Sequence, residues 1–388
     1  MCLGERRKYF VKKEPHILVL IESSRESGRQ LISGIADYAR HFGPWRFHWE
    51  ISGLLSIENS REFLQSFDGV LARDIAQIEP LLNSRVPVVA FCYSQRQRAG
   101  MGWVNINDVA LSQVAVDHFL ERGFRHFAFC GLEDAVWSQC RETGFRKAVK
   151  KAGCTSVYAF NMRDTDEGIE RLGQWLLSLP WPVAIMAAND EVALKVTRAC
   201  RAVKLRIPEE CAVVGVDNDP VVCGMSFPPL SSVSVQQYQS GYEAAALLDK
   251  MMRGVEPKEM QIMAQVDGLV VRQSSDVFSV EDLAVCKALR FIHQHVDRPI
   301  LVDEVAQAAG LYRRGLERRF HKYLGSTILE VCREARTSHI AKVLRESRWS
   351  LEEIAYQCGF SQSSHMTRFF TSVRGETPSA YRKRMSAH

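Results

Sequence analysis

Six short apolar runs constrain this chain more than any other feature. They are "HILVLI" (16–21), "GVLA" (69–72), "VPVVAF" (86–91), "HFAFCG" (126–131), "VAIMAA" (183–188) and "CAVVGV" (211–216). Continuous apolar runs of this length suit parallel strands buried on both faces. Between them lie "GRQLISGIADYARHF", "LSQVAVDHFLERG", "CRETGFRKAVKKAG" and "EVALKVTRACRAVKL", with apolar residues at helical spacing. Strand alternating with helix predicts α/β layers around parallel sheets. Two such series in about 270 residues exceed one ordinary core and predict two lobes with a cleft between them.

In open α/β sheets, ligands sit beyond the carboxyl ends of the strands. The residues just after each run are therefore the site candidates. Glu22, Ser23 and Ser24 follow the first run, Asn189 and Asp190 the fifth, and Asp217 and Asn218 the sixth. Carboxylates and amides bind several hydroxyls at once, which is the chemistry a sugar requires. Helix capping is the competing role for Asp190 and Asp217. The aromatics of "GPWRFHW" (43–49) are expected to pack in the core in preference to stacking on a ligand.

"QVDGLVVRQSSDVFSVED" (265–282) closes the α/β part with a strand-like run and a polar connector. Everything after it reads as helix, and one pattern occurs twice there. "VDEVAQAAGLYRRGLERRF" (302–320) and "LEEIAYQCGFSQSSHMTRFF" (351–370) each run from an acidic pair through an aliphatic-Ala step to Gly and a large apolar residue. A polar helix ending in Arg and Phe follows in both. Gly310 and Gly359 allow the left-handed turn that ends a helix. Leu316 and Phe320, like Met366 and Phe370, anchor the second helix inward. Its outer stripe carries Arg314, Glu317 and Arg318 in one copy and Ser363, Ser364, Thr367 and Arg368 in the other. Arg can read guanine, and Ser or Thr can contact bases or the thymine methyl. Each unit is thus expected to be a helix-turn-helix with a recognition helix.

Charge agrees with this. Residues 283–388 hold 18 Lys/Arg against 10 Asp/Glu, a balance of +8, whereas the rest of the chain is at −3. A basic segment beside a duplicated reading unit is the footprint of a nucleic-acid partner. A 20-residue helix over 327–346, capped by Ser326, would span ~30 Å. One turn of B-DNA is ~34 Å, so one chain could set two recognition helices in successive major grooves.

Residues 283–388 resemble the AraC/XylS family of transcription regulators, through "LERRF", "GFSQSSH", "RFF" and the terminal "GETPSAYR". The resemblance implies double-stranded promoter DNA as partner. It also implies base-reading roles for Arg313, Arg314, Glu317, Arg318, Ser363, Ser364, Thr367 and Arg368. Tyr312 departs from the family's usual Ser at the recognition-helix cap, and Gly315 weakens that helix by about 1 kcal/mol relative to Ala.

Residues 16–275 resemble the effector domain of LacI-type repressors and periplasmic sugar-binding proteins. The stretches that carry this are "VNINDVALSQVAVDHFLERGFRHFAFCG", "RETGFRKAV", "AANDEVALKV", "IPEECAVVGVDND" and "PPLSSVSV". By this resemblance Arg141, Asp190 and Asp217 are the main contacts of a small-molecule sugar effector, with Arg141 otherwise a surface charge. D-xylose is the first effector implied, with another pentose, a hexose or a purine left open. A homodimer and contact with RNA polymerase are further implications.

The expected architecture is an α/β two-lobed periplasmic-binding-protein-like domain at 14–276. An all-α domain with two helix-turn-helix units follows at 283–388. No catalytic residues, metal or cofactor are expected. The chain lacks G-x-S-x-G, P-loop, H-E-x-x-H and G-x-G-x-x-G patterns, and its eleven cysteines show no C-x-x-C pair. A basic start without an apolar stretch predicts no signal peptide, and no run reaches the ~20 residues of a membrane span. A cytoplasmic location is expected.

Overall fold

The computed structural model describes residues 14–53, 61–73, 86–91 and 100–386, apart from positions 155, 164, 256, 258, 279, 281 and 348. The basic stretch at 1–13 lies outside the described residues. The chain divides into two units: residues up to Phe119 with Arg125–Ser275, and Leu120–Phe124 with Asp276–His388. Among the described residues no helix is long and apolar enough to cross a membrane.

The first unit begins with β1 (His16–Leu20), α1 (Glu26–Phe42), β2 (Arg46–Trp49), α2 (Arg61–Gln65), β3 (Gly69–Ala72), β4 (Val88–Phe91) and β5 (Gly102–Ile106). It continues through α3 (Asp108–Glu121), β6 (His126–Leu132), α4 (Val136–Lys151), β7 (Val157–Met162), α5 (Asp166–Ser178), β8 (Val183–Ala187) and α6 (Asp190–Ala202). Last come β9 (Cys211–Val216), α7 (Pro220–Met225), β10 (Ser231–Val235), α8 (Gln237–Met252), β11 (Gln261–Ala264) and β12 (Val266–Val270).

Two six-stranded sheets result. One has the order β11-β5-β4-β3-β1-β2, all parallel. The other runs β12-β10-β9-β8-β6-β7, parallel except for β12 against β10. The chain builds most of the first sheet, then most of the second, and returns one strand to each. These are two lobes with a cleft at the strand ends. Burial explains why the apolar runs are continuous. In β1, Ile17 and Val19 pack with Leu31, Ile35 and Leu248 on one face, and Leu18 and Leu20 pack with Phe67, Val70 and Trp103 on the other. Both faces are covered, so strand alternation disappears from the sequence.

The second unit is helical: α9 (Leu283–Gln294), α10 (Val302–Ala309), α11 (Arg313–Leu324), α12 (Ile328–Glu346), α13 (Leu351–Gln357), α14 (Ser363–Arg374) and α15 (Pro378–Ser386). It has two small cores. Val285, Ile292, Val305, Leu316 and Phe320 centre the first, and Ile340, Leu344, Ile354, Met366 and Phe370 the second. The long α12 serves both, through Ile328, Cys332 and Ala335 and then Ile340, Ala341 and Leu344. One expectation is corrected here. The cap of α12 is Thr327, not Ser326, and the helix starts at Ile328. Thr327 Oγ1 accepts from the Glu330 amide at 3.2 Å, and Glu330 Oε2 accepts from the Thr327 amide at 2.7 Å. This reciprocal box satisfies two donors at once. The Ser326 hydroxyl instead donates back to the Leu324 carbonyl.

Candidate functional site

The strand-end residues of both sheets converge on the cleft. From the first lobe come Glu22, Ser23 and Ser24 beyond β1, and Arg73 beyond β3. Arg73 donates to Glu22 Oε1 at 2.6 Å and to Ser27 Oγ at 2.9 Å. The backbone carbonyls of Ser23 and Ser24 accept from Arg29 Nη1, each at 2.9 Å. From the second lobe come Asn189 and Asp190 beyond β8, with Asp217, Asn218 and Asp219 beyond β9. A narrow pocket is lined by Arg25, Asn189, Asp190, Glu191, Asp217 and Asp219, among others.

Asp190 is 2% exposed. Its carboxylate accepts from Ser232 Oγ at 2.6 Å, the Asp219 amide at 2.8 Å and Cys223 Sγ at 3.5 Å. Burial first, and the neighbouring Asp217 charge second, push its carboxyl up to about 8 against the pull of those donors. The capping roles fall on its neighbours. Asn189 Oδ1 caps α6 through the Val192 amide at 2.9 Å, and Asp219 Oδ1 caps α7 through the Val221 amide at 2.9 Å. Asp217 and Asn218 have φ of 98° and 53°. Two successive non-glycine residues held in this region mark a backbone that the surroundings over-determine, as functional loops often are. Asn218 is fixed by its amide on Ser232 Oγ and by Arg272, which donates to its Oδ1 at 2.8 Å.

Arg141 is 3% exposed, so the surface-charge reading fails. Its Nε donates to Asp108 Oδ1 at 3.2 Å, its Nη1 donates to the Ala188 carbonyl, and the guanidinium lies 5.5 Å from the Trp137 ring. Burial raises the Asp108 carboxyl despite that partner. Arg141 thus holds the β8 strand end that presents Asn189 and Asp190.

Sequence reasoning missed the groups that meet across the cleft. Arg25 binds Glu191 with two bonds of 3.1 and 2.7 Å, and the Glu26 amide donates to Asp219 Oδ2 at 3.2 Å. The Arg25–Glu191 pair is 38% and 43% exposed, so by itself it is worth less than about 1 kcal/mol. Two of the missed residues had a signal. Asp219 directly precedes Pro220, the Asp-Pro signature of a helix start, and Arg73 directly follows "GVLA". The "GPWRFHW" aromatics divide. Trp45 packs on the first-lobe core, while Phe47 and Trp49 stay 39% and 41% exposed along edge strand β2.

In the helical unit both turns take the expected form. Gly310 and Gly359 each have φ of 70°. Leu316, Phe320, Met366 and Phe370 are fully buried and fix the rotation of α11 and α14. That rotation leaves Arg314, Arg318, Ser364 and Arg368 exposed, with Glu317, Ser363 and Thr367 half-buried. Among the described residues Arg314, Arg318 and Arg368 make no hydrogen bond or ion pair, so three cations stand unpaired on the outer stripes. Arg313 differs. It donates to Glu317 Oε1 at 2.8 Å, so each neutralises the other. Tyr312, at the α11 cap, is 93% exposed and makes no capping bond, as the departure from Ser implied.

Comparison with known proteins matches both halves. Residues 116–275 match a periplasmic binding protein-like domain, and residues 305–384 match a helix-turn-helix domain. The xylose operon regulatory protein of Escherichia coli strain K12 is 28% identical over 383 residues, 95% of this chain and 97% of that protein. Its Haemophilus influenzae counterpart is 27% identical over 380 residues, 94% of this chain and 97% of that protein. Among solved structures, the xylose-binding transcription activator XylR aligns with a TM-score of 0.61 and 26% identity, covering 96% of this chain and 98% of that one. The transcriptional regulator CelR in complex with cellobiose aligns at 0.56 and 25% identity over 67% of this chain and 84% of that one.

Fold and comparisons therefore define a DNA-binding transcription regulator, with a two-lobed periplasmic-binding-protein-like domain joined to a helical domain that holds two helix-turn-helix units. The chain is similar to the xylose operon regulatory proteins over 95% of its length, in keeping with a regulator and not an enzyme.

Proposed function

We propose that this regulator responds to D-xylose and activates genes for its use. The observation that carries the reading is the match over both halves together. The first unit alone resembles sensors of several sugars, but sensor and reader in this order match the xylose operon regulators from end to end. The cleft supports it with polar strand-end groups suited to several hydroxyls. Glu22, Ser23, Arg141, Asn189, Asp190, Asp217 and Asn218 are the proposed contacts, with Arg141 also bonded to the β8 end. On DNA, Arg314, Arg318 and Arg368 are the proposed direct readers. Arg313, Glu317, Ser363, Ser364 and Thr367 complete the two recognition surfaces. We assign the sensor to 14–276 and the reader to 283–388, and place the protein in the cytoplasm as a homodimer that meets RNA polymerase at the promoter.

In mechanism, the sugar bridges strand ends of both lobes and stabilises the closed cleft, and that closure strengthens promoter binding. Isothermal titration of the purified chain against D-xylose, arabinose, ribose, glucose and a purine tests the sensor. Heat with D-xylose alone, lost in Asp217→Ala, is the expected result. Heat with a different compound would replace the effector and leave the regulator in place.

A further inference from the structure

The duplicated glycines have the same backbone conformation but different surroundings. Around Gly310 no atom lies within 4 Å of where a Cβ would stand. At Gly359 a Cβ would collide with the Asp297 carbonyl oxygen and lie 3.1 Å from Arg298 Cα. Asp297 belongs to the loop between α9 and α10, in the first helix-turn-helix half. The turn of the second copy therefore packs, backbone on backbone, against the loop that leads into the first copy.

A second contact holds the same turn. Arg336 sits on α12 where that helix passes from one core to the next, between Ala335 and Ile340. Its Nη2 donates to the Cys358 carbonyl at 2.8 Å and to the Gly359 carbonyl at 3.3 Å. Its guanidinium lies 4.0 Å from the Phe360 ring centre and 5.5 Å from that of Phe369. A planar guanidinium that stacks on rings and reaches two carbonyls fixes both distance and orientation, which a lysine cannot do.

We propose that Arg336 and Gly359 are positioning residues that set the separation of the two recognition helices. The chain then reads two half-sites only at one spacing. Each core is built on its own half of α12, so a bend in the middle of that helix is the freedom that would change the separation. The clamp and the close glycine contact remove that freedom. α12 has 19 residues, about 28 Å of helix, close to one ~34 Å turn of B-DNA. The inference rests on DNA binding and not on which effector is sensed.

The test is selection from a randomised duplex DNA library with the full-length chain, with and without D-xylose, followed by sequencing. The native protein is expected to recover two half-motifs at a single spacing. Gly359→Ala and Arg336→Gln are expected to recover the same half-motifs at several spacings, and to bind the native-selected site roughly tenfold or more weakly. Gly310→Ala is the control. It strains an equivalent turn but meets no neighbour, so it should weaken the first half-motif and keep the single spacing. Circular dichroism melts confirm that each variant is folded. A single spacing retained in both Gly359→Ala and Arg336→Gln would overturn the proposal. So would variable spacing in the native protein, or Gly310→Ala spreading the spacing as much as Gly359→Ala.

Discussion

Asp190 illustrates how one residue in this cleft is set by its surroundings. It is buried beside Asp217 and has three donors aimed at it, and its carboxyl ionises only near pH 8. In the unfolded chain such a group ionises near 4. Between about pH 4 and about pH 8 the folded state therefore keeps a proton that the unfolded chain has lost. Its contribution is full below about pH 4 and disappears as pH rises through about 8. Asp190→Asn mimics the protonated form. Urea unfolding should show native stability falling relative to the Asn variant between about pH 5 and 8, by at most about 1.4 kcal/mol per pH unit. A difference that does not change with pH would contradict this. On the DNA side, the unpaired Arg318 and Arg368 should each read a base. Arg318→Ala and Arg368→Ala are expected to relax preference at separate half-site positions by ~1–3 kcal/mol in competition binding. Equal loss on every sequence would make them phosphate contacts instead.

At the scale of elements, the recognition helices hang on single buried aromatics. Phe370 is fully buried in a core of only a few side chains, alongside Ile340, Ile354 and Met366. Phe370→Ala should cost about 3–5 kcal/mol in that core, because so small a cluster cannot close the cavity. Calorimetry and titration together should show DNA binding lost with sugar binding intact, and parallel loss of both would count against separate cores. The same elements show what could be read in advance. β3 and β9 coincide with their apolar runs because strands covered on both faces write themselves as continuous apolar sequence. Strands β2 (RFHW) and β10 (SSVSV) escaped that criterion. One is an exposed edge. The other buries serines whose hydroxyls bond Asp190 and the Arg272 carbonyl, a satisfaction visible only in three dimensions. Arg25 and Glu191 were illegible for a similar reason. They lie 166 positions apart and meet only because the lobes do.

For the whole molecule, sequence and structure agree on a division of labour. A near-neutral α/β unit carries the polar cleft, and a basic helical unit carries two exposed polar helix stripes. The order of the two was legible from hydrophobic periodicity and from the repeat. The packing that distinguishes the two turn glycines was not, since both stand in the same local sequence pattern. On the proposed function, one chain makes DNA binding depend on a sugar. The most direct test is fluorescence anisotropy of a labelled duplex carrying the selected site, titrated with the full-length protein at saturating D-xylose and without it. Binding should be tighter by roughly 5- to 150-fold with D-xylose, the usual range of coupling between sites. Equal affinity in both titrations, with D-xylose shown by calorimetry to be bound, would contradict it.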